Sequence, residues 1–269
     1  MVKRVDLFDS TYGHFTDEVL AAVRRETFGT DIGQNSWLTV DEYERFLPLL
    51  DLTAEGHVLE VASGSGGPAL YLARAIGCRV TGIDVNENGV ATASQMAAKS
   101  GQTERVRFSV ASATSPLPFE DDTFDALLCI DSMNHFPDRL AVFREWRRVL
   151  RPGGRALFTD PVVVTGPVTN DELALRSSVG LFLFVPPGVN ERLLEQAGLR
   201  LVRQEDVTEN AALVSGRWHR ARQDHRDDLV RIEGEERFVG LQRFFETVHT
   251  LTRQKRLSRI AYVAERSAR

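Results

Sequence analysis

The sequence contains only two cysteines, Cys78 and Cys129, and lacks any apolar run near the roughly 20 residues that cross a bilayer. Its longest apolar candidate extends only from Val179 to Val185. The N-terminal MVKRVDLFDS also lacks the apolar stretch of a signal peptide. Since both cysteines lie in or beside apolar segments, we expect buried, reduced thiols. These absences predict a soluble, cytoplasmic protein without a membrane partner.

The sequence also lacks an excess of basic residues, with 33 Lys and Arg against 38 Asp and Glu and a formal net charge of -5. Nucleic-acid binders usually carry a basic stripe, so we predict no nucleic-acid partner. The histidines share no metal-ligand spacing with the acids, and we predict no bound metal. Hydrophobic residues are 42% of the 269 residues, enough to bury the core of one large domain.

Strand and helix patterns alternate through the middle of the chain. Apolar strands separated by amphipathic helices predict an α/β fold, with a Rossmann-like, seven-stranded, mostly parallel sheet covered by helices on both faces. The strand patterns are His57–Val61, Arg79–Ile83, Val106–Val110, Phe124–Ile130, Arg155–Thr159, Leu199–Glu205 and Ser258–Ala264. The helical patterns among them are Gly67–Ile76, Asn86–Lys99, Pro137–Leu150 and Val189–Ala197.

We predict one domain over residues 1–269, with a helical addition at each end of the sheet region. Two long helical patterns, Asn210–Ile232 and Glu235–Arg253, lie between the last two strands. An insertion of that size usually covers a site rather than connecting strands. The predicted parts are an N-terminal helical lid (1–50), a ligand-binding core (51–206), a helical cap (207–253) and a final strand with its tail (254–269).

The most informative segment is the HVLEVASGSGGPA run, in which the strand from His57 enters a glycine-rich turn and then a helix. Gly64 and Gly66 let the backbone approach a ligand closely. The turn also satisfies the dinucleotide pattern G-x-G-x-x-G/A, and Asp84 follows about 20 residues later, as that pattern requires. The glycine turn and Asp84 are therefore compatible with a nicotinamide dinucleotide or with another adenosine compound as the ligand.

Glu60 distinguishes between these two ligands. It precedes the glycine turn, where its carboxylate would repel a pyrophosphate in a poorly solvated cleft. S-adenosylmethionine has no phosphate, and its amino and sulfonium groups are cationic. Asp84 can accept hydrogen bonds from the ribose hydroxyls of either compound. Together Glu60 and Asp84 therefore favour S-adenosylmethionine as the cofactor.

Four segments of the chain resemble, in order and spacing, motifs of the class I S-adenosylmethionine-dependent methyltransferases of small molecules. They are VLEVASGSGG, GIDVNENGV, SATSPLPFEDDTFDALLCID and RVLRPGGRALFTD, and they extend from Val58 to Asp160. The family usually has glycine at the position of Ala62 and often aspartate at that of Ser112. Serine is a shorter, uncharged acceptor, which places the adenine contact at Ser112 in question.

The resemblance implies a set of cofactor contacts at matching positions. Four residues of the first motif would surround the methionine moiety: Glu60, Ala62, Gly64 and Gly66. The ribose and adenine would be bound by Asp84, Val85, Asn86, Ser112 and Ala113, and the end of the fourth strand would contribute Cys129, Ile130 and Asp131. An N-terminal loop that small-molecule members place over the cofactor would add Gln34, Ser36 and Trp37, unless it merely joins two helices.

The acceptor side is less defined by the sequence. His135 follows the fourth strand at the carboxyl edge of the sheet, and its ordinary pKa suits a general base at neutral pH, although it could equally only orient the acceptor. Tyr12 and His14 of the N-terminal helix could touch the acceptor. The aromatic residues Phe184, Trp218 and Phe245 either line an apolar acceptor pocket or pack the cap, and packing is the preferred interpretation.

The leading hypothesis is an enzyme that transfers a methyl group by in-line displacement to a small molecule. The sequence lacks the Asn-Pro-Pro-Tyr signature of methyltransferases that act on planar nitrogens in nucleic acid or protein. A nicotinamide-dependent oxidoreductase, a non-catalytic S-adenosylmethionine-binding protein, and another use of the same cofactor stay open as alternatives.

Overall fold

The structure, a computed structural model, describes residues 4–114 and 116–268. Three parts of the sequence-based predictions lie outside these residues: positions 1–3 of the lid, Ser115 of the third motif, and Arg269 of the tail. None of the described helices is long and apolar enough to cross a membrane. Cys78 and Cys129 are both buried and free, as predicted.

One sheet of seven strands forms the centre of the molecule. Its strands are β1 (His57–Val61), β2 (Arg79–Asp84), β3 (Val106–Val110), β4 (Phe124–Cys129), β5 (Leu150–Val164), β6 (Leu199–Asp206) and β7 (Leu257–Arg266). They are arranged in the order β3-β2-β1-β4-β5-β7-β6. Strands β1 to β5 are parallel, and β7 runs antiparallel to both β5 and β6. The predicted Rossmann-like, mostly parallel sheet is confirmed.

Strand β5 is much longer than its prediction, which covered only Arg155–Thr159. Its first residue, Leu150, pairs with Phe124 of β4, and its last, Val164, pairs with Leu257 of β7. The Pro152-Gly153-Gly154 sequence predicts a turn, and the ladder is irregular there: four residues of β5, 151–154, lie opposite the single residue Asp125 of β4 between the Phe124–Leu150 and Ala126–Arg155 pairs.

Helices of the core flank the sheet: α4 (Gly67–Ile76), α5 (Glu87–Lys99), α6 (Arg139–Val149) and α8 (Val189–Gln196). Helix α4 begins with Pro68 in its first turn, where a missing N–H costs nothing. The Asn86 side chain caps α5 by accepting a 2.9 Å hydrogen bond from the Gly89 amide. Two apolar clusters, one on each face of the sheet, are covered by these helices.

The remaining helices are α1 (Phe8–Gly13), α2 (Glu18–Phe28), α3 (Val40–Phe46), α7 (Asn170–Arg176), α9 (Thr208–Asp224), α10 (Arg226–Glu233) and α11 (Glu235–Arg253). Helix α3 packs through Tyr43 and Phe46 into one of the two sheet-face clusters. The single helix predicted over Asn210–Ile232 is divided into α9 and α10 at His225. A third apolar cluster joins α2, α9 and α11 through buried side chains that include Val23, Trp218 and Phe245.

Candidate active site

A cavity of about 350 Å³ lies where the parallel strands end at their carboxyl termini. Its wall includes Glu60 of β1, Asp84 of β2 and Ile130 after β4, with residues from the N-terminal segment and from α7, α9 and α11 on the opposite side. Open α/β sheets bind their ligands at this edge, and small-molecule sites are usually about 300–1,000 Å³. The cavity is therefore the candidate active site.

The glycine turn after β1 forms one end of the cavity. Gly64 has a φ of +52°, and a Cβ at this position would collide with the hydroxyl of Tyr12. Gly66 has a φ of +77°, but a Cβ there would collide with Phe108 and Ala93 behind the turn. Gly64 lines the cavity, whereas Gly66 does not, so the predicted ligand contact of Gly66 is replaced by a packing role.

Ala62, which was predicted to contact the cofactor, lines the cavity beside this turn. Its φ is +58°, in the left-handed region that favours glycine. Ala62 stands where the family usually has glycine, and its backbone is therefore strained.

Glu60 lies at the base of the glycine turn with only 2% of its surface exposed. Its Oε2 is buried and has no hydrogen-bond partner among the described residues. Burial raises the pKa of this carboxyl to about 8; the Ala69 backbone N–H opposes the increase, and the charge of Asp84 adds to it. A cation placed beside Glu60 would favour its ionised form and give the free oxygen a partner.

Asp84 is linked to the glycine turn by its own hydrogen bonds. Its Oδ2 accepts from the Gly64 amide and its Oδ1 from the Asn86 amide, each at 2.8 Å. Burial raises the pKa of the carboxyl, and these amides partly oppose the increase. Each oxygen retains a lone pair, so the carboxylate can still accept hydrogen bonds from a diol.

The residues after Asp84 form an open, mixed surface in the cavity wall. Val85 lines the cavity with 67% of its surface exposed, and Asn86 lines it as well. Ala113 joins them from the segment after β3, but Ser112 does not, because its hydroxyl pairs with Thr114 at 2.8 Å. The adenine contact at Ser112, already in question from the sequence, stays a prediction.

The N-terminal loop contributes polar groups next to Glu60. Ser36 and Trp37 line the cavity as predicted, and Asn35 lines it with both side-chain amide atoms buried and unpartnered among the described residues. Gln34 does not reach the cavity, since its side chain accepts from the Ile32 amide within the loop. The side chain of Gln34 therefore points away from the predicted cofactor contact and stabilises the backbone of its own loop.

The glycine-turn end of the cavity fits the amino-acid part of S-adenosylmethionine. Asn35, Glu60 and Ser63 each present at least one buried polar atom without a partner among the described residues. Such groups are rare in folded proteins unless water or a ligand satisfies them. A zwitterionic amino acid offers both the donors and the acceptors that these three side chains lack.

At the end of β4, Ile130 and Asp131 line the cavity, whereas Cys129 faces the core of the sheet. The carboxylate of Asp131 accepts from the Trp37 amide at 2.8 Å and from Arg259 Nε at 2.6 Å. Arg259 is fully buried and also donates to Glu42 at 2.6 Å. This ion network holds the N-terminal loop against the sheet, and sequence reasoning missed it because its members are far apart in the chain.

His135 lines the cavity from a short 3-10 turn after β4. Its Nδ1–H donates to the carbonyl of Leu181 at 2.8 Å, which leaves Nε2 as the basic nitrogen of the neutral ring. Burial lowers the pKa of His135, the Leu181 carbonyl raises it, and the positive charge of Arg176 lowers it. The imidazole is therefore neutral at pH 7 and able to accept a proton.

Aromatic side chains line the cavity, and two of them, Phe8 and Phe182, lie edge-on to His135 with ring centroids 5.8 and 4.9 Å away. Tyr12, Trp218, Phe244 and Phe245 line the cavity as well. Most of these rings also pack against one another; Trp218 and Phe245, for example, have ring centroids 4.7 Å apart. Trp218 and Phe245 therefore both line the cavity and pack among the helices around it.

Two predicted acceptor contacts are not brought to the cavity. His14 is exposed and pairs with Asp17 at 3.0 Å, and the ring of Phe184 lies outside the lining. Both predictions relied on position along the chain, and in each case the side chain points elsewhere. Among the described residues, no group of three or more His, Cys, Asp or Glu side chains is placed to hold a metal ion.

Arg176, the last residue of α7, lines the cavity although no sequence pattern singled it out. Only 2% of its surface is exposed, and burial lowers the pKa of its guanidinium to about 9 while Asp131 and Asp160 oppose the decrease. The group therefore stays charged at neutral pH.

Comparison with known proteins agrees with this geometry. The family model described as "Methyltransferase domain" matches residues 59–158. Methyltransferase GfsG of Streptomyces halstedii is 40% identical over 178 residues, which cover 64% of this chain and 61% of that protein. The 27-O-demethylrifamycin SV methyltransferase of Amycolatopsis mediterranei is 34% identical over 169 residues, 62% of each chain. The alignments thus span about three fifths of the length of these relatives.

The fold is also similar to that of a solved structure. The cyclopropane synthase MmaA2 from Mycobacterium tuberculosis superposes with a TM-score of 0.82 at 16% identity, covering 97% of this chain and 99% of that one. At this identity the likeness concerns the fold alone. Residues 59–158 thus match a methyltransferase domain, the chain is similar to methyltransferases over about three fifths of its length, and it shares the fold of the solved structure.

Proposed function

We propose that the protein transfers the methyl group of S-adenosylmethionine to a small-molecule acceptor bound in the same cavity. One observation carries the proposal: the buried Glu60 has an unpartnered oxygen beside a glycine turn that is bonded to Asp84. A cationic adenosine compound would favour the ionised form of Glu60 and pair with both acids, whereas the pyrophosphate of a nicotinamide dinucleotide would pair with neither.

The cofactor supplies an electrophilic methyl group, and the protein contributes positioning and exclusion of water. Glu60, Asn35 and Ser63 would hold the amino-acid end, and Asp84 the ribose. Val85 and Ala113 would contact the adenine, with Asn86 beside them. Ile130, Asp131 and Trp37 would close the middle of the cavity. In this assignment Tyr12 serves the cofactor end, since its hydroxyl lies over Gly64.

The acceptor would occupy the aromatic end beside His135, under the cap proposed for residues 207–253. Because His135 is neutral with Nε2 free to accept, it can take the proton of an acceptor hydroxyl or ammonium as the methyl group moves. Both named relatives are methyltransferases, and one is named for a rifamycin substrate. They support a small acceptor in preference to nucleic acid, and the cytoplasmic location predicted from the sequence stays a prediction.

A labelling experiment tests the proposal. The purified chain is incubated with S-adenosylmethionine carrying a ¹³C methyl group and a small-molecule extract, and products are separated by mass spectrometry. We expect label in a low-molecular-mass compound, and little in it with the Asp84→Ala variant. Binding of S-adenosylhomocysteine without any label transfer would instead favour a non-catalytic binding protein, and binding of NAD would favour an oxidoreductase.

A further inference from the structure

Arg176 is a buried cation in the cavity wall with at least one donor nitrogen that has no acceptor among the described residues. Its Nη1 is buried without a hydrogen-bond partner among the described residues. No described carboxylate forms an ion pair with it, although a guanidinium carries five N–H donors. Leaving charged donors unpaired in a low-dielectric site is costly.

The two acids whose charges act on Arg176 are already engaged by other arginines. Asp131 pairs with Arg259, and Asp160 pairs with Arg139. These contacts fix the carboxylates at a distance, where they help keep Arg176 charged without satisfying its hydrogen bonds. The Nη1 donor of Arg176 is therefore available to an acceptor group that enters the cavity.

Aromatic rings surround the guanidinium on several sides. Its Cζ lies 4.6 Å from the ring centroid of Phe182, 5.2 Å from that of Phe244 and 5.9 Å from that of Trp37. Rings at these distances stabilise a cation through their quadrupoles, but they accept no strong hydrogen bond. A planar oxyanion could form two parallel hydrogen bonds with the guanidinium while its carbon skeleton lies among the rings.

Arg176 is also close to the candidate base. Its charge lowers the pKa of His135, so the two groups share one electrostatic environment. The ring of Phe182 links them, because it lies 4.9 Å from the ring of His135 and 4.6 Å from the Arg176 guanidinium. A molecule held by Arg176 would consequently lie next to the aromatic end of the cavity.

We propose that Arg176 binds a negatively charged oxygen of the methyl acceptor; this inference rests on the proposed function. The substrate is then an apolar or aromatic molecule that carries a carboxylate or an ionised phenol or enol. The unpartnered guanidinium supplies the charge recognition, and the surrounding rings select the apolar body. A neutral or cationic molecule of the same shape would leave the donors unpaired and bind less well.

The test uses benzoate, benzamide and benzylamine, which share a ring and differ in charge. Calorimetry first measures S-adenosylhomocysteine binding to the wild-type chain, and then each probe is titrated into the free protein and the complex. We expect benzoate to bind at millimolar concentrations or below, and at least about tenfold more tightly than benzamide, as a charge-assisted pair implies. In Arg176→Met the two should bind alike, and in Arg176→Lys the preference should shrink.

The control Arg217→Met removes an exposed arginine beside Trp218 and should keep the wild-type preference. Equal binding of benzoate and benzamide to the wild-type chain, or no benzoate binding at millimolar concentration, would overturn the proposal without any variant. A large loss of S-adenosylhomocysteine affinity in Arg176→Met would overturn it too, because the guanidinium would then serve the cofactor. Failure of the wild-type chain to bind S-adenosylhomocysteine counts against the proposed function instead, since the probe preference is also measured on the free protein.

Discussion

Asp84 accepts a 2.8 Å hydrogen bond from the backbone N–H of Gly64, which joins the acid at the end of β2 directly to the glycine turn after β1. The bond fixes the position of the carboxylate and the conformation of the turn together. A ligand that contacts one of these two elements is therefore held against the other, and the cofactor end of the cavity is organised before the ligand arrives.

Replacement of this acid tests the cofactor site. Asp84→Ala should weaken S-adenosylhomocysteine binding by well over tenfold, because the ribose loses an acceptor and the Gly64 and Asn86 amides lose theirs. Isothermal calorimetry measures the change. Glu87→Ala, which removes an exposed carboxylate three positions along the chain, should leave the affinity unchanged. An unaltered affinity in Asp84→Ala would contradict the assigned role.

The pKa of Glu60 predicts proton release when the cofactor binds. Because that pKa is about 8 in the folded chain, the carboxyl is mostly protonated at pH 7 and must ionise beside a cationic amino group. Calorimetric titration in buffers of different ionisation enthalpy should show release approaching one proton. In Glu60→Gln the release should disappear and the affinity should fall, whereas a wild-type chain that releases no proton would refute the electrostatic argument.

The same residue predicts how stability depends on pH. A carboxyl whose folded pKa is raised from 4.5 to about 8 binds more protons folded than unfolded across that interval. Its contribution to the stability of the free protein is present below about pH 4.5 and is lost as pH rises through 8. The loss of stability caused by Glu60→Gln should therefore be smaller at pH 8 than at pH 5, or be replaced by a gain at pH 8. Urea unfolding at the two pH values measures the difference.

His135 predicts a separation of turnover from cofactor binding. His135→Ala should lower kcat while S-adenosylhomocysteine affinity stays near that of the wild type, because its ring packs against Phe8 and Phe182, whereas the assigned cofactor acids flank the glycine turn. Since burial lowers its pKa, the acid limb of the wild-type rate should lie below the ordinary histidine range. The matched control is His14→Ala, an exposed histidine. Full activity in His135→Ala would remove it from the mechanism.

Ala62 predicts a gain in stability. Its φ of +58° costs an alanine roughly 1–2 kcal/mol. A glycine avoids this cost, but it loses more chain entropy on folding, which offsets part of the gain. Ala62→Gly should stabilise the fold by about 0.5–1 kcal/mol in urea unfolding. Asp131→Gly is the comparison: its φ is similarly positive at +55°, but its carboxylate binds Arg259 and the Trp37 amide, so this change should destabilise.

The fold was predictable because its signals are local. Apolar strands such as Val106–Val110, the capping side chain of Asn86 and the Pro68 helix start each depend on a few neighbouring residues. The full extent of β5 and the interruption at His225 depend instead on distant partners. The Phe124–Leu150 pair with β4 and the Val164–Leu257 pair with β7 extend the strand beyond its predicted range, and no single-residue pattern reveals them.

The site was predictable where a motif fixes backbone position, and less so where side-chain direction matters. Glu60, Gly64 and Asp84 reach the cavity because the turn that defines the motif also builds the wall. Gln34 and Cys129 are next to lining residues in the sequence, yet their side chains point away. Arg176 gave no signal, since the rings around it come from segments more than 60 residues apart.

The central claim is that the glycine turn and its two acids hold a cationic adenosine cofactor. Parallel calorimetric titrations of the wild-type chain with S-adenosylmethionine and NAD test it most directly. We expect one-to-one binding of S-adenosylmethionine, weakened in both Glu60→Gln and Asp84→Ala, and no heat with NAD. Binding of NAD in preference to S-adenosylmethionine would contradict it.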